Sequence, residues 1–372
     1  GADNGIGMAL ILALMEDDTV QNIEGLFTVD EETGLTGAFA LKEGFMNGDI
    51  LLNLDSEDDG ELFIGCAGGA NTTAIYPFPK EKAPQGWFFF RVSVKGLTGG
   101  HSGDDISKNR ANANKLLNRF LVQTMQKYGM RLADIEGGNL HNAIPREAHA
   151  LCAVPMEYKE AVRVDLNIFI SEIENEYSVT EPNLAMDLES EAPVEYVMEQ
   201  KAMERFLLSI YAVHHGVYAM SQDIPGLVET SSNLASIKVC DGTIKVVTSQ
   251  RSSILSSRKD MSQMVSAAFI LGGATVTTGE GYPGWKPNPS SEILKIAVES
   301  YKKLFGVEPK VKAIHAGLEC GLFLQKYPSL DMVSFGPTLR GVHSPDERML
   351  IPTVEKFWNH LLDILAHIPA KA

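Results

Sequence analysis

The pattern of apolar and polar positions changes texture twice along the chain. Residues 7–15 are apolar on every side, as in a helix packed on more than one face. An apolar run over 23–29 predicts a strand that ends at Glu31-Glu32, followed by a short helix over 37–41. A second buried strand is predicted over 49–54, and it runs into the acidic loop Asp55-Ser56-Glu57-Asp58-Asp59-Gly60. Strand–helix–strand order with polar residues at the strands' carboxyl ends reads as an open α/β sheet, whose ligands bind at that edge. From about Gly69 the pattern becomes one-sided. Residues 88–95 alternate like a half-buried strand, and a helix follows over 109–128 with Leu116, Leu117, Phe120 and Leu121 on one face. Then come a strand pair within 139–154, a helix over 156–174 and a strand over 184–188. That order, βαββαβ, is the ferredoxin-like pattern of an α+β module. A second, partial copy follows: a helix over 194–213, strands within 226–248 and a helix over 259–271.

From Gly272 the α/β texture returns. Strands are predicted over 274–278, 311–315 and 332–335, alternating with helices over 290–304, 317–325 and 354–367. The last helix puts Phe357, Trp358, Leu361, Leu362 and Leu365 on a core-facing stripe. The expected organisation is therefore one α/β domain, residues 1–68 and 264–372, interrupted by an inserted module at 69–263.

Bulk properties narrow the function. A chain of 372 residues with 44% hydrophobic and 22% charged residues can bury a full core. A net charge of −16 disfavours nucleic acid and anionic membrane as partners. Cys66, Cys152, Cys240 and Cys320 are scattered without CxxC spacing, so neither a zinc ribbon nor a disulfide framework is indicated. With no 18-residue apolar run, this predicts a soluble protein of a reducing cytosol. The chain opens on Gly1-Ala2-Asp3 rather than Met, and reads as beginning inside a domain.

Five residues carry the candidate chemistry: Asp3, Glu31, Glu32, Asp55 and His343. Each falls at a predicted strand end or in a loop beside a buried element. Adjacent side chains at a strand end point to opposite sides, so one carboxylate of the Glu31-Glu32 pair can hold a metal while its neighbour moves a proton. A mostly carboxylate set with imidazole and no thiolate suits zinc, cobalt or manganese in a hydrolytic centre, with one carboxylate bridging two ions. The plainer reading of single residues stays open: Asp3 as a helix cap, Asp55 as part of an acidic surface loop, Glu31-Glu32 as a solvated corner.

Seven motifs occur in order. They are Gly1-Ala2-Asp3-Asn4-Gly5-Ile6-Gly7, Asp30-Glu31-Glu32-Thr33-Gly34, Asn53-Leu54-Asp55-Ser56-Glu57, Gly99-Gly100-His101-Ser102-Gly103, Asn142-Ala143-Ile144-Pro145-Arg146, His315-Ala316-Gly317-Leu318-Glu319-Cys320-Gly321 and His343-Ser344-Pro345-Asp346-Glu347. Together they span nearly the whole chain. They resemble the family of dinuclear zinc peptidases that includes carnosinase, peptidase T and the bacterial aminoacyl-histidine dipeptidases.

The resemblance implies a zinc-peptidase α/β catalytic domain and an inserted lid that also serves dimerisation. It implies hydrolysis of Xaa-His and other unblocked dipeptides by water activated at two divalent ions, zinc first, with cobalt or manganese as alternatives. Asp3 resembles the carboxylate bridging both ions, followed in relatives by a cis bond. Glu31 resembles the general base, Glu32 and His343 ligands of one ion, and Asp55 a ligand of the other. His101 resembles the lid histidine that holds the oxyanion. Asn142 and Asn233 resemble lid residues that grip the substrate, and Arg251 the arginine that takes its terminal carboxylate. Glu319 is assigned to the substrate's amino group, with His315 lining that pocket or packing against it. The family's His-x-Asp motif would lie upstream of Asp3, but none of the nine histidines precedes His101. The chain is therefore expected to be a fragment with one metal position weakened. Other readings are a related aminotripeptidase, an N-acyl amino acid deacylase, or a catalytically impaired scaffold.

Overall fold

The structure, a computed structural model, describes residues 1–18, 20, 22–240, 242–342 and 346–369, and only the backbone at Glu32 and Thr33. The chain divides into two compact units. One comprises Gly1–Gly68, Ser221–Leu227 and Tyr282–Ala372; the other comprises Gly69–Met220 and Val228–Gly281.

The first unit opens with α1 (Ala2–Met15), whose helical geometry is broken at Asp3 and Asn4. Only one face of α1 is buried, through Gly7, Leu10 and Leu14; Met8, Leu12 and Met15 are exposed, against the two-sided burial expected. The strand expected over 23–29 is also absent. That segment makes no ladder hydrogen bonds, and Val29 O instead accepts from Gly37 N at 3.0 Å. Glu31 therefore begins a short helix, α2 (Glu31–Gly34), rather than ending a strand. Next come α3 (Thr36–Ala40), β1 (Ile50–Asn53) and β2 (Glu61–Cys66).

The second unit starts with β3 (Gly68–Pro77), β4 (Lys80–Lys82), β5 (Trp87–Lys95) and β6 (Gly100–His101). It continues with α4 (Ala113–Tyr128), β7 (Arg131–Gly137), β8 (Ala143–Ile144), β9 (Ala148–Pro155), α5 (Lys159–Glu176) and β10 (Ala185–Ser190). After β11 (Tyr196–Met198) come α6 (Gln200–Ala212), β12 (Gly216–Met220), β13 (Val228–Cys240), β14 (Thr243–Ser252), α7 (Leu255–Leu271) and β15 (Thr275–Thr278).

Its main sheet has the order β10-β5-β9-β7-β13-β14-β3-β15, with β12 added against β13. The first four strands, taken with α4 and α5, form one complete βαββαβ copy. The other four form a second copy, β3-α6-β13-β14-α7-β15, in mirror order along the same sheet. The first copy is thus spliced between the opening strand and first helix of the second. This explains why the expected boundary at 263/264 cuts wrongly, through α7: β15 is the closing strand of the second copy, paired to β3 over Thr275↔Ile75 to Thr278↔Thr72. The two copies share one core, with a repeated arrangement. Phe120 of α4 meets Phe169 of α5 at 5.7 Å, and Tyr76 of β3 meets Phe206 of α6 at 5.1 Å and Phe269 of α7 at 6.2 Å.

The chain then returns to the first unit with α8 (Glu292–Phe305), β16 (Lys310–Ile314), α9 (Glu319–Lys326), β17 (Asp331–Ser334), β18 (Leu339–Arg340), β19 (Arg348–Met349) and α10 (Pro352–His367). The sheet order is β1-β17-β2-β16, parallel between β1 and β17 and between β2 and β16. Leu62, Ile64, Met332 and Val333 from this sheet are buried with Phe335 and with Phe357, Leu361 and Ile364 of α10. Among the described residues no helix is long and apolar enough to cross a membrane.

Candidate active site

In the first unit the carboxyl ends of β1 and β17 set the site. Asn53, the last residue of β1, accepts from Ser334 Oγ at 2.6 Å and from the Asp55 amide at 3.3 Å through its own Oδ1. Ser56 and Ser334 hydroxyls meet at 2.7 Å, fully buried. The chain after β17 runs so close to this turn that a Cβ on Gly336 would lie 1.8 Å from Ser56 O. Asp55 is thereby held from both strands.

Its side chain meets other acids. The Asp55 carboxyl is pushed up to about 8, first by burial, then by the charges of Asp3 and Glu31, by a hydrogen bond with Asp3, and by Glu319. Asp3 is held by its own turn: Asn4 Oδ1 accepts from Gly7 N at 2.9 Å, and the Asp3–Asn4 bond is cis. Glu347, from the loop that carries the His343 motif, accepts from the amides of Ala2 and Asp3 and is held below its ordinary range by them. Glu319 opens α9 and is buried. Its Oε2 accepts from Thr28 Oγ1 at 2.9 Å, its Oε1 has no hydrogen-bond partner, and burial raises its affinity for a proton. His315 is buried four positions earlier.

Such crowding of carboxylates is electrostatically costly without a cation among them. It is also the donor chemistry that a hard or borderline divalent ion takes. Among the described residues no three His, Cys, Asp or Glu side chains are close enough to hold an ion between them. The Glu32 side chain and His343, both assigned to this centre from the sequence, lie outside the described residues.

The second unit gathers the other four assigned residues. β6 pairs with β8 in the register His101↔Ala143, and Asn142 O accepts from Ser102 N at 2.8 Å. Asn233, buried on β13, donates from Nδ2 to Ala143 O at 2.8 Å, while its Oδ1 has no hydrogen-bond partner. Arg251, buried on β14, places Nη2 3.3 Å from His101 Nε2 and Nε 3.4 Å from Ser102 Oγ. Asn142 itself is exposed.

The turn bearing His101 is tightly built. Gly100 has φ +140°, and a Cβ there would run into Arg110 and Asp105. Asp105 Oδ2 accepts from His101 N at 2.8 Å, and Asp105 is itself paired with Lys108 and Arg110. Ile106, Ile144 and Val228 form a small apolar support beneath it. Sequence reasoning missed Thr28 and Asp104, the side-chain partners of Glu319 and His101. Thr28 had no signal, since its partner is 291 positions away; Asp104 had only its nearness to His101.

The sequence model of peptidase family M20/M25/M40 matches residues 2–367. The cytosol non-specific dipeptidase of Escherichia coli (strain K12) is 41% identical over 373 residues, covering 100% of this chain and 77% of that protein. The crystal structure of aminoacylhistidine dipeptidase from Vibrio alginolyticus superposes with a TM-score of 0.95 at 42% identity, covering 100% of this chain and 76% of that one. Aminopeptidase PepT from Bacillus cereus shares the fold alone, with a TM-score of 0.50 at 14% identity over 98% of this chain and 70% of that one. The carboxylate centre and the arginine–histidine cluster thus belong to a hydrolase of the metallopeptidase class, and the chain is a member of peptidase family M20/M25/M40.

Proposed function

We propose that this protein is a dipeptidase that cleaves unblocked dipeptides, Xaa-His among them, with two divalent ions, zinc by preference. The observation that carries the reading is the contact between the Asp3 and Asp55 carboxyls, with Glu31 and Glu319 bearing on the same group. The residues that would hold metal are Asp3 and Asp55, joined on the motif resemblance by Glu32 and His343. Bound there, the ions supply Lewis acidity and make water acidic near neutral pH.

The protein's own groups then divide the work. Glu31 takes a proton from the attacking water and returns it to the leaving amine. Glu319, with one oxygen fixed by Thr28 and the other unpartnered, takes the substrate's ammonium group. In the second unit Arg251 takes the terminal carboxylate, a bidentate task suited to guanidinium. His101 stabilises the oxyanion, a role worth about 3 kcal/mol for one donor. Asn142 and Asn233 hold the peptide; the unpartnered Oδ1 of buried Asn233 supports its part. The reading places the enzyme in the cytosol, as a homodimer formed through the second unit, whose α5 exposes Val164 and Ile168. A dipeptide panel set against tripeptides and N-acyl amino acids tests it: turnover confined to dipeptides with free amino and carboxyl groups supports the assignment, and preference for either other class overturns it.

A further inference from the structure

We infer that Asp104 is a positioning residue for His101, and that its carboxylate serves as counter-charge to the imidazole when His101 meets the oxyanion. This deepens the proposed reaction and rests on the His101 role assigned there.

The geometry carries it. Asp104 Oδ2 lies 3.2 Å from His101 Nδ1, and Arg251 Nη2 lies 3.3 Å from Nε2 on the other side of the ring. A guanidinium only donates, so its contact requires a lone pair on Nε2. Nδ1 lies 3.3 Å from the Asp104 amide and 3.2 Å from its carboxylate; with the lone pair on Nε2, the ring proton is on Nδ1 and the carboxylate is its acceptor. The same pairing holds the Asp104 carboxyl below its ordinary range, chiefly through the hydrogen bond with His101. Two neighbouring aspartates therefore act on one residue. Asp105 fixes the His101 backbone by accepting from its amide, and Asp104 fixes the plane and tautomer of the ring.

The consequence follows from charge. To donate to an oxyanion from Nε2 while Nδ1–H stays on a carboxylate, the ring takes a second proton from solvent and becomes imidazolium. Beside Arg251 alone that cation is disfavoured; Asp104 offsets the repulsion. When a substrate carboxylate engages the guanidinium, Nε2 is released from Arg251 for this role. Among the described residues the charged groups that face His101 are Asp104 on its own turn and Arg251 from β14, with Asp105, Lys108 and Arg110 paired among themselves behind its backbone.

The test is steady-state kinetics of Asp104→Asn, Asp104→Glu and His101→Ala on one Xaa-His dipeptide with zinc. Asp104→Asn should lower kcat at least about tenfold, the size of effect seen when the partner of a metal-ligating histidine is removed, with KM nearly unchanged. Asp104→Glu should restore part of the lost kcat. In the His101→Ala background, Asp104→Asn should add nothing. No rescue by Asp104→Glu, or the same loss of kcat without His101, overturns the proposal. If His101→Ala costs kcat and Asp104→Asn does not, Asp104 alone is misassigned. If His101→Ala leaves kcat intact, the oxyanion role itself fails and takes this proposal with it.

Discussion

The Asp55 carboxyl lies beside that of Asp3, and burial together with the neighbouring Asp3 and Glu31 charges pushes it up to about 8. Half-buried acids crowded together are a costly arrangement for a folded protein and a suitable one for a cation-binding centre. Most of what can be tested in this molecule follows from that pair.

The first expectation concerns stability. The Asp55 carboxyl has its proton affinity raised on folding, to about 8. A group raised in this way contributes stability that is complete below its unfolded value, near 4 for aspartate, and is lost as pH climbs through the folded value. Metal-free protein should therefore melt at progressively lower temperature as pH rises from about 4 to 8. Added zinc should flatten or reverse that trend. Calorimetric scans with and without zinc check this, and a metal-free melting temperature that does not fall over the interval would contradict it.

Glu31→Ala separates proton transfer from metal holding. Turnover should fall by about 10²–10⁴, the usual contribution of a positioned base, while bound zinc by elemental analysis stays near the parent value. Equal loss of both would assign Glu31 to the ligands instead.

Gly336→Ala probes the scaffold beneath the site. The added Cβ would collide with Ser56 O, next to Asp55. The main chain must move, and with it the turn held by Asn53 and Ser334. Overpacking of this kind costs about 1–3 kcal/mol, so both melting temperature and zinc affinity should drop. A variant with parental values for both would show that the turn has slack.

Much of this was legible in the sequence because the elements and motifs are local. The first βαββαβ copy shows in the alternation of β5 and the apolar stripe of α4, and the glycines around His101 mark its turn. The second copy was harder to see, since its opening strand β3 is separated from α6 by the entire first copy, and β15 is too short to announce its partner. The segment before Glu31 misled for another reason: Gly25-Leu26-Phe27 has the composition of a strand, but composition cannot supply a pairing partner. The pairing of Glu319 with Thr28, and the orienting contact of Asp104 on His101, depend on side-chain approach that no spacing rule encodes.

Arg251→Lys tests substrate selection. A lysine keeps the charge but loses the fork, and charge-assisted hydrogen bonds are worth about 1.5–3 kcal/mol each. The specificity constant for a dipeptide should fall about 10–100-fold by that measure, whereas the poor turnover of the corresponding dipeptide amide should scarcely change. Parallel losses on acid and amide would mean that Arg251 acts on something other than the carboxylate.

The most direct trial of the account is calorimetric titration of zinc into the parent protein and into Asp55→Asn, repeated from pH 6 to 8. The parent should bind more tightly as pH rises and release protons as it does so. Asp55→Asn should bind one equivalent fewer, or bind at least about 100-fold more weakly. Identical affinity and stoichiometry in the two proteins, independent of pH, would contradict the claim that these carboxylates form a metal centre.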